Sequence, residues 1–446
     1  MTDTAENTEQ KVDPDVVGEV NSWLEQNWDP DLTVGEWWEL LGLAGYSSPG
    51  LPTNAYGHDL SRGDANAVLQ AVSEFGALGA PGGLGLMLAA PTIAAHGTQE
   101  QIDTYVRDIV TGQKAWCQLF SEPGAGSDLA GLQAKAVQDG EEWIVNGQKV
   151  WTSGGQVADL GMLIARTNSD VPKHQGISYF ALDMHQESVD IRPLREMTGR
   201  AMFNEVFMSD ARTTTDAMIG DLNNGWAVAN TTLANERASL GSGGGHQSGG
   251  SATPGTVVGH LEQRVGDFVA DPAAKRRRGS GGGGGVFGGA SKMLMELAKG
   301  NGKISDPTIR QDLMKLHTLA EIGRMNNLRV KAAKQAGIDI GGMPNISKLS
   351  MSEMMRLQRD LGLRIVGAAG TLHAYDGGQE RKDIDEATGN PFLGMITEMA
   401  LFAQAPPIYG GTDQVQRNII GERVLGLPKE PNNDKTMPFS ELPKNA

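Results

Sequence analysis

QLFSEPGAGSDLAG, residues 118–131, places a run of small residues directly after a β-prone segment. Gly124, Ala125 and Gly126 allow a tight turn whose backbone N–H groups can point at a ligand, and Ser127 adds a hydroxyl. The turn is not a P-loop, because no Gly-Lys-Ser/Thr follows it. A Gly-x-Gly turn alone is usually only a turn, so the sequence on either side must decide what this one does.

The segment from 116 to 215 has the pattern of short β-strands. EEWIVNGQKVWTS (141–153) contains two β-prone runs joined by Asn146-Gly147, which predicts a hairpin. Three further strand candidates are ADLGMLIARTN (158–168), ISYFALDM (177–184) and NEVFMSD (204–210). Several short strands with turns between them predict a small barrel or sandwich.

A tryptophan and two hydroxyls end the second of the two runs. Trp151 could pack on a flat aromatic ligand, and Thr152 or Ser153 could hydrogen-bond the edge of that ligand. An ordinary core tryptophan is the alternative interpretation, and this stretch alone does not exclude it.

Helical patterns flank the β segment on both sides. Helix signals occur at 13–28, 98–112, 225–241, 305–337 and 347–370. Thr412 could cap a further helix that Val415, Ile419, Ile420 and Val424 indicate. We therefore predict a helical domain over 1–115, a β domain over 116–215 and a helical domain over 216–446. Two glycine-rich runs, 241–251 and 275–289, are predicted to be flexible loops of one insertion at about 241–290.

The composition limits the class of partner. The chain has 446 residues and a formal net charge of −16, which argues against nonspecific nucleic-acid binding and favours a solvated loop for the KRRR run at 275–278. An anionic ligand needs only local positive groups and is not excluded.

Cys117 is the single cysteine, and the sequence shows neither a signal-peptide pattern nor an apolar run long enough for a membrane span. We expect a cytoplasmic protein without an intrachain disulfide and without membrane association.

Four motifs together resemble those of the acyl-CoA dehydrogenases: SEPGAGSD, the run into VWTS, GDLNNGW…LANERA and IYGGTDQVQ, in the order and spacing of that family. The resemblance covers about residues 15–428. It implies an α+β multidomain acyl-CoA dehydrogenase fold: a helical N-terminal domain, a middle β-barrel and a C-terminal four-helix bundle, with FAD bound between barrel and bundle. It also implies α,β-dehydrogenation of an acyl-CoA thioester, in which a base takes the α proton and a hydride leaves the β carbon for flavin N5. Electrons would then pass to an electron-transferring flavoprotein.

The resemblance assigns site residues by position. The implied flavin contacts are Gln118, Leu119, Phe120, Ser121, Gly126, Ser127, Trp151, Thr152, Ser153, Thr412 and Gln414. The implied substrate contacts are Ser127, Arg237, Tyr409 and Gly410. Within the first set, Ser153 would hydrogen-bond near flavin N5.

The catalytic base is where this sequence departs from the commonest family pattern. Most members carry a Glu where this chain has Gly410, and Asp413, three residues on, is a poor substitute. A minority, resembling the long-chain and isovaleryl enzymes, place a Glu directly before an Arg on the first long helix of the C-terminal domain, which matches Glu236 and Arg237. A solvated surface pair is the alternative interpretation. We predict that Glu236 is the base and that Gly410 gives its backbone N–H to the thioester carbonyl.

A second departure concerns the assembly. The family's Arg-x-Phe-Gly segment, whose arginine reaches a neighbour's FAD, has no counterpart here, and Lys299 or Arg310 are candidate substitutes. RIVGAAG (364–370) carries Arg364 and Ala368 where the family usually has Gln and Gly. These changes favour one subunit of an α2β2 enzyme, as in some actinobacterial sterol side-chain dehydrogenases. A homotetramer with a different adenine contact is the alternative.

The room left by glycine at 410 favours long, branched or steroid-type acyl groups over short straight ones. Two other classes are disfavoured. Nitroalkane oxidase relatives place an Asp at the base position, where this chain has Gly410. Non-enzymatic relatives, either a pseudo-subunit or a DNA-binding protein, do not agree with the acidic charge or with Glu236 beside the flavin motifs.

Overall fold

The computed structural model describes residues 14–241, 259–269, 286–338, 341–375, 378–390, 392–431 and 434–443. The N-terminal helices are α1 (Pro14–Asn27), α2 (Val34–Leu43), α3 (Arg62–Phe75), α4 (Ala90–His96), α5 (Gln99–Gln101) and α6 (Arg107–Val110). Two π-helical turns, Gly85–Ala89 and Ile102–Val106, lead into α4 and α6.

Helix α2 begins at a capping box and buries two tryptophans. The hydroxyl of Thr33 accepts a hydrogen bond from the N–H of Glu36, whose carboxylate accepts one from Thr33 N at 2.9 Å. Trp37 and Trp38 are 0% and 1% exposed, and their indole N–H groups donate to the carbonyls of residues 78 and 79 at 2.8 Å. The N-terminal helices therefore enclose a core of their own.

The middle of the described chain forms a curled seven-stranded sheet. Its strands are β1 (Trp116–Leu119), β2 (Lys135–Asp139), β3 (Glu142–Ser153), β4 (Leu160–Arg166), β5 (Ile177–Asp183), β6 (Val189–Leu194) and β7 (Phe203–Thr214). The order across the sheet is β1-β4-β2-β3-β7-β6, and β5 pairs with β4. Strand β4 runs parallel to β1 and β2, and the other pairs are antiparallel. The three strand candidates after residue 157 are confirmed as β4, β5 and β7.

Asn146-Gly147 is not a hairpin turn, and that prediction from the sequence was wrong. Residues 142–153 form the single strand β3, and the turn that joins it to β2 lies at residues 140–141. The register of β3 against β7 shifts just before Gly147, so the pair forms a bulge. Gly147 has a φ of 155°, and a Cβ there would lie 2.5 Å from the Cβ of Ala134, which explains the glycine.

The C-terminal helices are α7 (Gly225–Gly241), α8 (Val286–Gly300), α9 (Pro307–Gln335), α10 (Met343–Val366), α11 (Gly378–Thr388), α12 (Leu393–Phe402) and α13 (Asp413–Ile419). Buried side chains of α8, α9, α10 and α12 share one core. Helix α7 instead packs between the sheet and the N-terminal helices. The expected order of helices, sheet and helices is confirmed.

The two glycine-rich runs fall mostly outside the described residues. Between them, residues 259–269 lie against the N-terminal helices, where Val265 is fully buried and donates its N–H to Leu32 O at 2.8 Å. Residues 286–289, at the end of the second run, begin helix α8. The prediction of a flexible loop is therefore wrong for residues 286–289, whereas residues 259–269 lie between the two runs for which flexible loops were predicted.

One hydrophobic cluster joins all three parts of the chain. It includes Leu88 before α4, Trp116 on β1, Tyr179 on β5, and Val228 and Ala229 on α7. This packing places the first turns of α7 in one core with β1 and β5. None of the helices in the described ranges is both long and apolar enough to cross a membrane.

Candidate functional site

Helix α7 carries Glu236 to the third residue of β1, Gln118. The Nε2 atom of Gln118 donates to Oε2 of Glu236 at 3.4 Å, and both side chains are half-buried. Gln118 opens the QLFSEPGAGSD stretch, so the fold brings the predicted base to the strand that leads into the small-residue turn. This position favours a role in a site over that of a solvated surface pair.

A buried polar cluster lies one helical turn before Glu236. Thr232 is fully buried, and its Oγ1 lies 3.0 Å from Thr92 Oγ1 and 3.4 Å from the Tyr179 hydroxyl. Burial raises the pKa of Tyr179 far above its usual range, so the phenol stays neutral. The Tyr179 ring meets Phe120 edge to face at 6.0 Å between centroids. Because residues four apart share a helix face, these contacts fix the direction in which Glu236 faces.

A buried ion pair ties the turn to strand β3. Lys149 is fully buried, and its Nζ lies 2.9 Å from Glu122 Oε1 and donates to Phe120 O at 3.0 Å. The Glu122 carboxylate also accepts from the N–H groups of Gln133 and Ala134 at 2.7 and 3.0 Å. Burial lowers the pKa of Lys149, and the charge of Glu122 opposes that shift. The pair holds the backbone of residues 120–122 against β3.

Trp151 stands out from the sheet next to this anchored backbone. Its side chain is 60% exposed, and its φ of 62° is a left-handed conformation that costs a bulky residue about 1–2 kcal/mol. The ring contacts Phe203 edge-on at 5.8 Å between centroids. Thr152 is fully buried, and within the described residues its Oγ1 has no hydrogen-bond partner. An exposed indole, an unpaired hydroxyl and the half-buried Ser153 fit the face and polar edge of a flat ring.

The glycine pair of IYGGT has a left-handed backbone. Gly410 and Gly411 have φ values of 61° and 82°, which glycine adopts without steric cost. Thr412 caps α13 as predicted, since its side chain accepts from Val415 N at 3.2 Å. Gln416 Nε2 donates to Gly410 O at 3.0 Å. The loop is thus held by the helix that follows it.

Asp413 belongs to a structural ion cluster. It is 2% exposed, and its carboxylate lies 2.5 Å from Arg356 Nη2 and 3.4 Å from Lys348 Nζ. Burial alone would raise the pKa of Asp413, but hydrogen bonds from Ser352 and Arg356 and the charge of Lys348 outweigh burial and lower it. A carboxylate held ionised by two cations is a weak proton acceptor. This geometry supports the prediction that Asp413 does not replace the missing Glu.

The comparison with known proteins identifies the family. The family model of the acyl-CoA dehydrogenase middle domain matches residues 117–211, and that of the C-terminal domain matches residues 290–425. The acyl-CoA dehydrogenase IpdE1 of Mycobacterium tuberculosis is 32% identical over 394 residues, which cover 88% of each chain. The chain belongs to the acyl-CoA dehydrogenase family. This is a family of flavoprotein oxidoreductases.

Other acyl-CoA dehydrogenases extend the comparison. FadE34 of M. tuberculosis is 34% identical over 348 residues, but the match covers 76% of this chain and only 39% of FadE34. The crystal structure of the ChsE4-ChsE5 complex from M. tuberculosis has a TM-score of 0.65 at 25% identity and covers 96% of this chain and 100% of that chain. The Tcur3481-Tcur3483 steroid ACAD has a TM-score of 0.66 at 24% identity, covers 93% of this chain and 97% of that chain, and shows the same fold.

The predicted site residues of this acyl-CoA dehydrogenase differ in their access to a ligand. Leu119 is fully buried in the sheet core, so only its backbone could reach a flavin, and its role as a flavin contact stays a prediction. Gly126 and Ser127 are exposed on the turn, and Gln414 is exposed on α13. The side chain of Arg237 lies outside the described residues.

Arg364 and Lys299 were named above because the family pattern around them, which concerns a neighbour's FAD, is changed in this chain. Both residues make contacts within this chain. Arg364 hydrogen-bonds Asp312 and Thr308 of α9, the latter at 2.7 Å. Lys299 Nζ pairs with Glu296 at 2.9 Å. The effect of these residues on a neighbour's cofactor stays a prediction.

Three residues that shape the acyl-CoA dehydrogenase site were missed from the sequence. Glu122 and Lys149 lie inside the quoted motifs but were considered only as turn and strand residues. Their signal was one charged residue in each of two otherwise uncharged runs, Glu122 within residues 115–127 and Lys149 within residues 143–158. Gln416 gave no comparable signal, because an amide in a short helix is usually solvated.

Proposed function

We propose that this chain is an FAD-dependent acyl-CoA dehydrogenase in which Glu236 removes the α proton of an acyl-CoA thioester. The observation that carries the proposal is the contact between Gln118 and Glu236, which joins the candidate base to the strand entering the SEPGAGSD turn. When bound, FAD supplies the acceptor for the hydride that leaves the β carbon. The family is one of flavoproteins, which supports this choice of cofactor.

Residues from three of the four motifs, SEPGAGSD, VWTS and IYGGTDQVQ, would hold the flavin. Trp151 would cover a ring face with its exposed indole, and Thr152 and Ser153 would hydrogen-bond the polar edge. The turn would add backbone N–H groups and the Ser127 hydroxyl. Thr412, at the start of α13, would add a further contact from the C-terminal helices.

The proton acceptor and the N–H that donates to the thioester carbonyl would come from different parts of the chain, Glu236 and Gly410. A free Glu carboxyl titrates near pH ~4.3 and is a weak base for a carbon acid. Exclusion of water by the acyl chain and the flavin strengthens such a base. The backbone N–H of Gly410 would polarise the thioester carbonyl as negative charge develops, a contribution of about 3 kcal/mol for one well-placed donor.

Glu236→Gln tests the assignment of the base. The variant keeps the size and polarity of the side chain and removes the proton acceptor, so anaerobic bleaching of the flavin by acyl-CoA should slow by about 10²–10⁴-fold. Asp413→Asn removes the rival carboxylate and should bleach at a rate close to that of the wild type. Fast bleaching in Glu236→Gln together with slow bleaching in Asp413→Asn would show that the base is misassigned.

We further propose a long, branched or steroid-type acyl group as substrate. The support is the similarity in fold to a steroid ACAD. Replacement of a loop Glu by Gly410 removes a side chain from the site, which agrees with a bulkier acyl group. Flavin bleaching by a panel from butyryl-CoA to steroid-carboxyl-CoA tests this, and a preference for butyryl-CoA would contradict it.

The assembly we propose is a tetramer, either of this chain alone or of this chain with a second acyl-CoA dehydrogenase-like chain. Helix α9 exposes a row of apolar side chains at helical spacing: Met314, Ile322, Met325 and Leu328, between 48% and 58% exposed. A solved neighbour at 25% identity is itself a complex of two named chains, ChsE4 and ChsE5. Full FAD occupancy and activity of the chain purified alone would favour the homotetramer. We expect an electron-transferring flavoprotein as acceptor, tested by reduction of that protein in a coupled assay.

A further inference from the structure

Residues 434–443, which follow the last helix, lie against the connection between β4 and β5. The N–H groups of Phe439 and Ser440 donate to Val171 O and Ser169 O, both at 2.9 Å. Phe439 is only 6% exposed, so the segment is packed and not merely adjacent. The match to the C-terminal family model ends at residue 425, and the segment therefore lies outside the matched part of the chain.

A buried lysine joins this segment to the small-residue turn. Lys173 is 6% exposed, and its Nζ lies 2.7 Å from Asp434 Oδ2 and 2.9 Å from both carboxylate oxygens of Asp128. Burial disfavours the ammonium ion, but the two carboxylates outweigh burial and raise the pKa of Lys173. Asp128 directly follows Ser127 in the chain. Lys173 thus links the C-terminal segment to Asp128, the neighbour of Ser127, whose hydroxyl we assign to the binding of cofactor and thioester.

A second buried cation supports the residues just after the turn. Arg166 is 2% exposed, and its Nη2 donates to Ala130 O at 2.6 Å and to Leu132 O at 3.2 Å, while Nη1 donates to Lys173 O at 2.5 Å. The guanidinium carbon lies 3.7 Å from the centroid of the Phe439 ring, a cation–π contact. Arg166 and Lys173 therefore hold residues 128–132 and the C-terminal segment as one unit.

On its upstream side the turn is held by the buried pair of Lys149 and Glu122. Ser127 is exposed, and a Cβ added at Gly126 would meet no atom of the described residues within 4 Å. On the downstream side, the contacts through Asp128 and through the carbonyls of residues 130 and 132 act together with the Glu122 carboxylate, which binds the N–H groups of Gln133 and Ala134. Loss of the C-terminal segment would remove Asp434 from Lys173 and the aromatic ring from Arg166.

We propose that residues 434–443 form a positioning clasp that holds the Ser127 turn in its binding conformation for FAD and acyl-CoA. The inference rests on the proposed function, because that function gives Ser127 its ligands. A clasp of this kind acts on binding and leaves the proton-transfer geometry at Glu236 intact. Its removal should therefore raise the KM for acyl-CoA and the Kd for FAD more than it lowers kcat.

The test compares Asp434→Asn and Phe439→Ala with a matched control in the full chain. Glu422→Gln is the control, because it removes a carboxylate from the exposed Lys429–Glu422 pair, 3.6 Å apart, in the same terminal region. FAD Kd is measured by flavin fluorescence titration, and KM and kcat are measured with acyl-CoA. We expect each clasp variant to raise Kd and KM about three- to tenfold with kcat within about twofold, and Asp434→Glu to restore both constants. Unchanged Kd and KM in both variants, with a lower melting temperature, would overturn the clasp.

Ser127→Ala in the otherwise unchanged chain separates the two proposals. A rise in FAD Kd with Ser127→Ala, but not with the clasp variants, overturns the clasp and leaves the proposed function standing. A wild-type chain that binds no FAD and oxidises no acyl-CoA, either alone or co-expressed with a second acyl-CoA dehydrogenase-like chain, overturns the proposed function itself, and the clasp with it.

Discussion

Replacing Lys149 by methionine is expected to weaken both the sheet and the ligand-binding turn. The Lys149 side chain is fully buried, and its Nζ lies 2.9 Å from Oε1 of Glu122, which is 8% exposed. Removing one partner of a buried pair leaves an uncompensated charge and costs about 3–5 kcal/mol. In the variant the Glu122 carboxylate still accepts hydrogen bonds from the N–H groups of Gln133 and Ala134. We therefore expect a loss of stability at the lower end of this range, about 3 kcal/mol. Phe120 O also loses its donor, which adds about 1 kcal/mol.

A double-mutant cycle of Lys149→Met and Glu122→Gln measures this pair. Urea unfolding followed by tryptophan fluorescence gives the free energies, and absorbance after gel filtration gives the FAD retained. The double variant should be about 2 kcal/mol more stable than the sum of the single changes predicts. Lys299→Met is the matched control, because its exposed pair with Glu296, also 2.9 Å apart, is worth only about 0.3–0.5 kcal/mol. Single variants within about 1 kcal/mol of wild type, or an additive cycle, would refute the reasoning.

Three further predictions concern the base and the glycine loop. Gly410→Glu should restore flavin bleaching in Glu236→Gln only in part, because the φ of 61° at position 410 costs a non-glycine residue about 1–2 kcal/mol; a wild-type bleaching rate in the double variant would contradict this. The folded pKa of Asp413 is lowered, so the stability it contributes is complete above its ordinary value of 3.8 and is lost as the pH falls through the lower folded value. Acid unfolding of Asp413→Asn, followed by circular dichroism, should therefore show less pH dependence in that window than the wild type does, and an equal dependence would argue against the pairing. Gln118→Leu should slow proton abstraction about fivefold and shift the pH profile of kcat, whereas an unchanged profile would indicate a purely structural side chain.

Local signals explain what the sequence predicted well. The stretch 225–241 was predicted as a helix and forms α7 over that range. Thr412 was predicted as a cap and accepts a hydrogen bond from Val415 N. In both cases the determining interactions lie within a few residues of one another, so periodicity and capping chemistry are sufficient.

Interactions between distant residues explain the failures. Asn146-Gly147 has the local chemistry of a hairpin turn, but pairing with β7 makes it a bulge. The Asn146 amide donates to Asp210 Oδ1 at 2.8 Å, a contact across 64 residues that no local pattern contains. The burial of Lys149 was missed for a related reason, because lysine is almost never fully buried unless it is paired. Its partner Glu122 lies 27 residues away on another element.

The backbone of the glycine loop gives a physical reason for placing a base on α7. Both Gly410 and Gly411 have positive φ, and Gln416 binds the carbonyl of Gly410, so this loop conformation depends on glycine. A Glu at 410 would occupy a strained backbone, and its carboxylate would be only as well placed as the loop that bears it. A carboxylate on α7 is instead held by a helix whose rotation is fixed through Thr232, and side chains on rigid elements keep catalytic geometry more closely than those on loops. Glycine at 410 and glutamate at 236 would therefore be two parts of one arrangement, in which the loop keeps its backbone donor for the thioester and the helix provides the base.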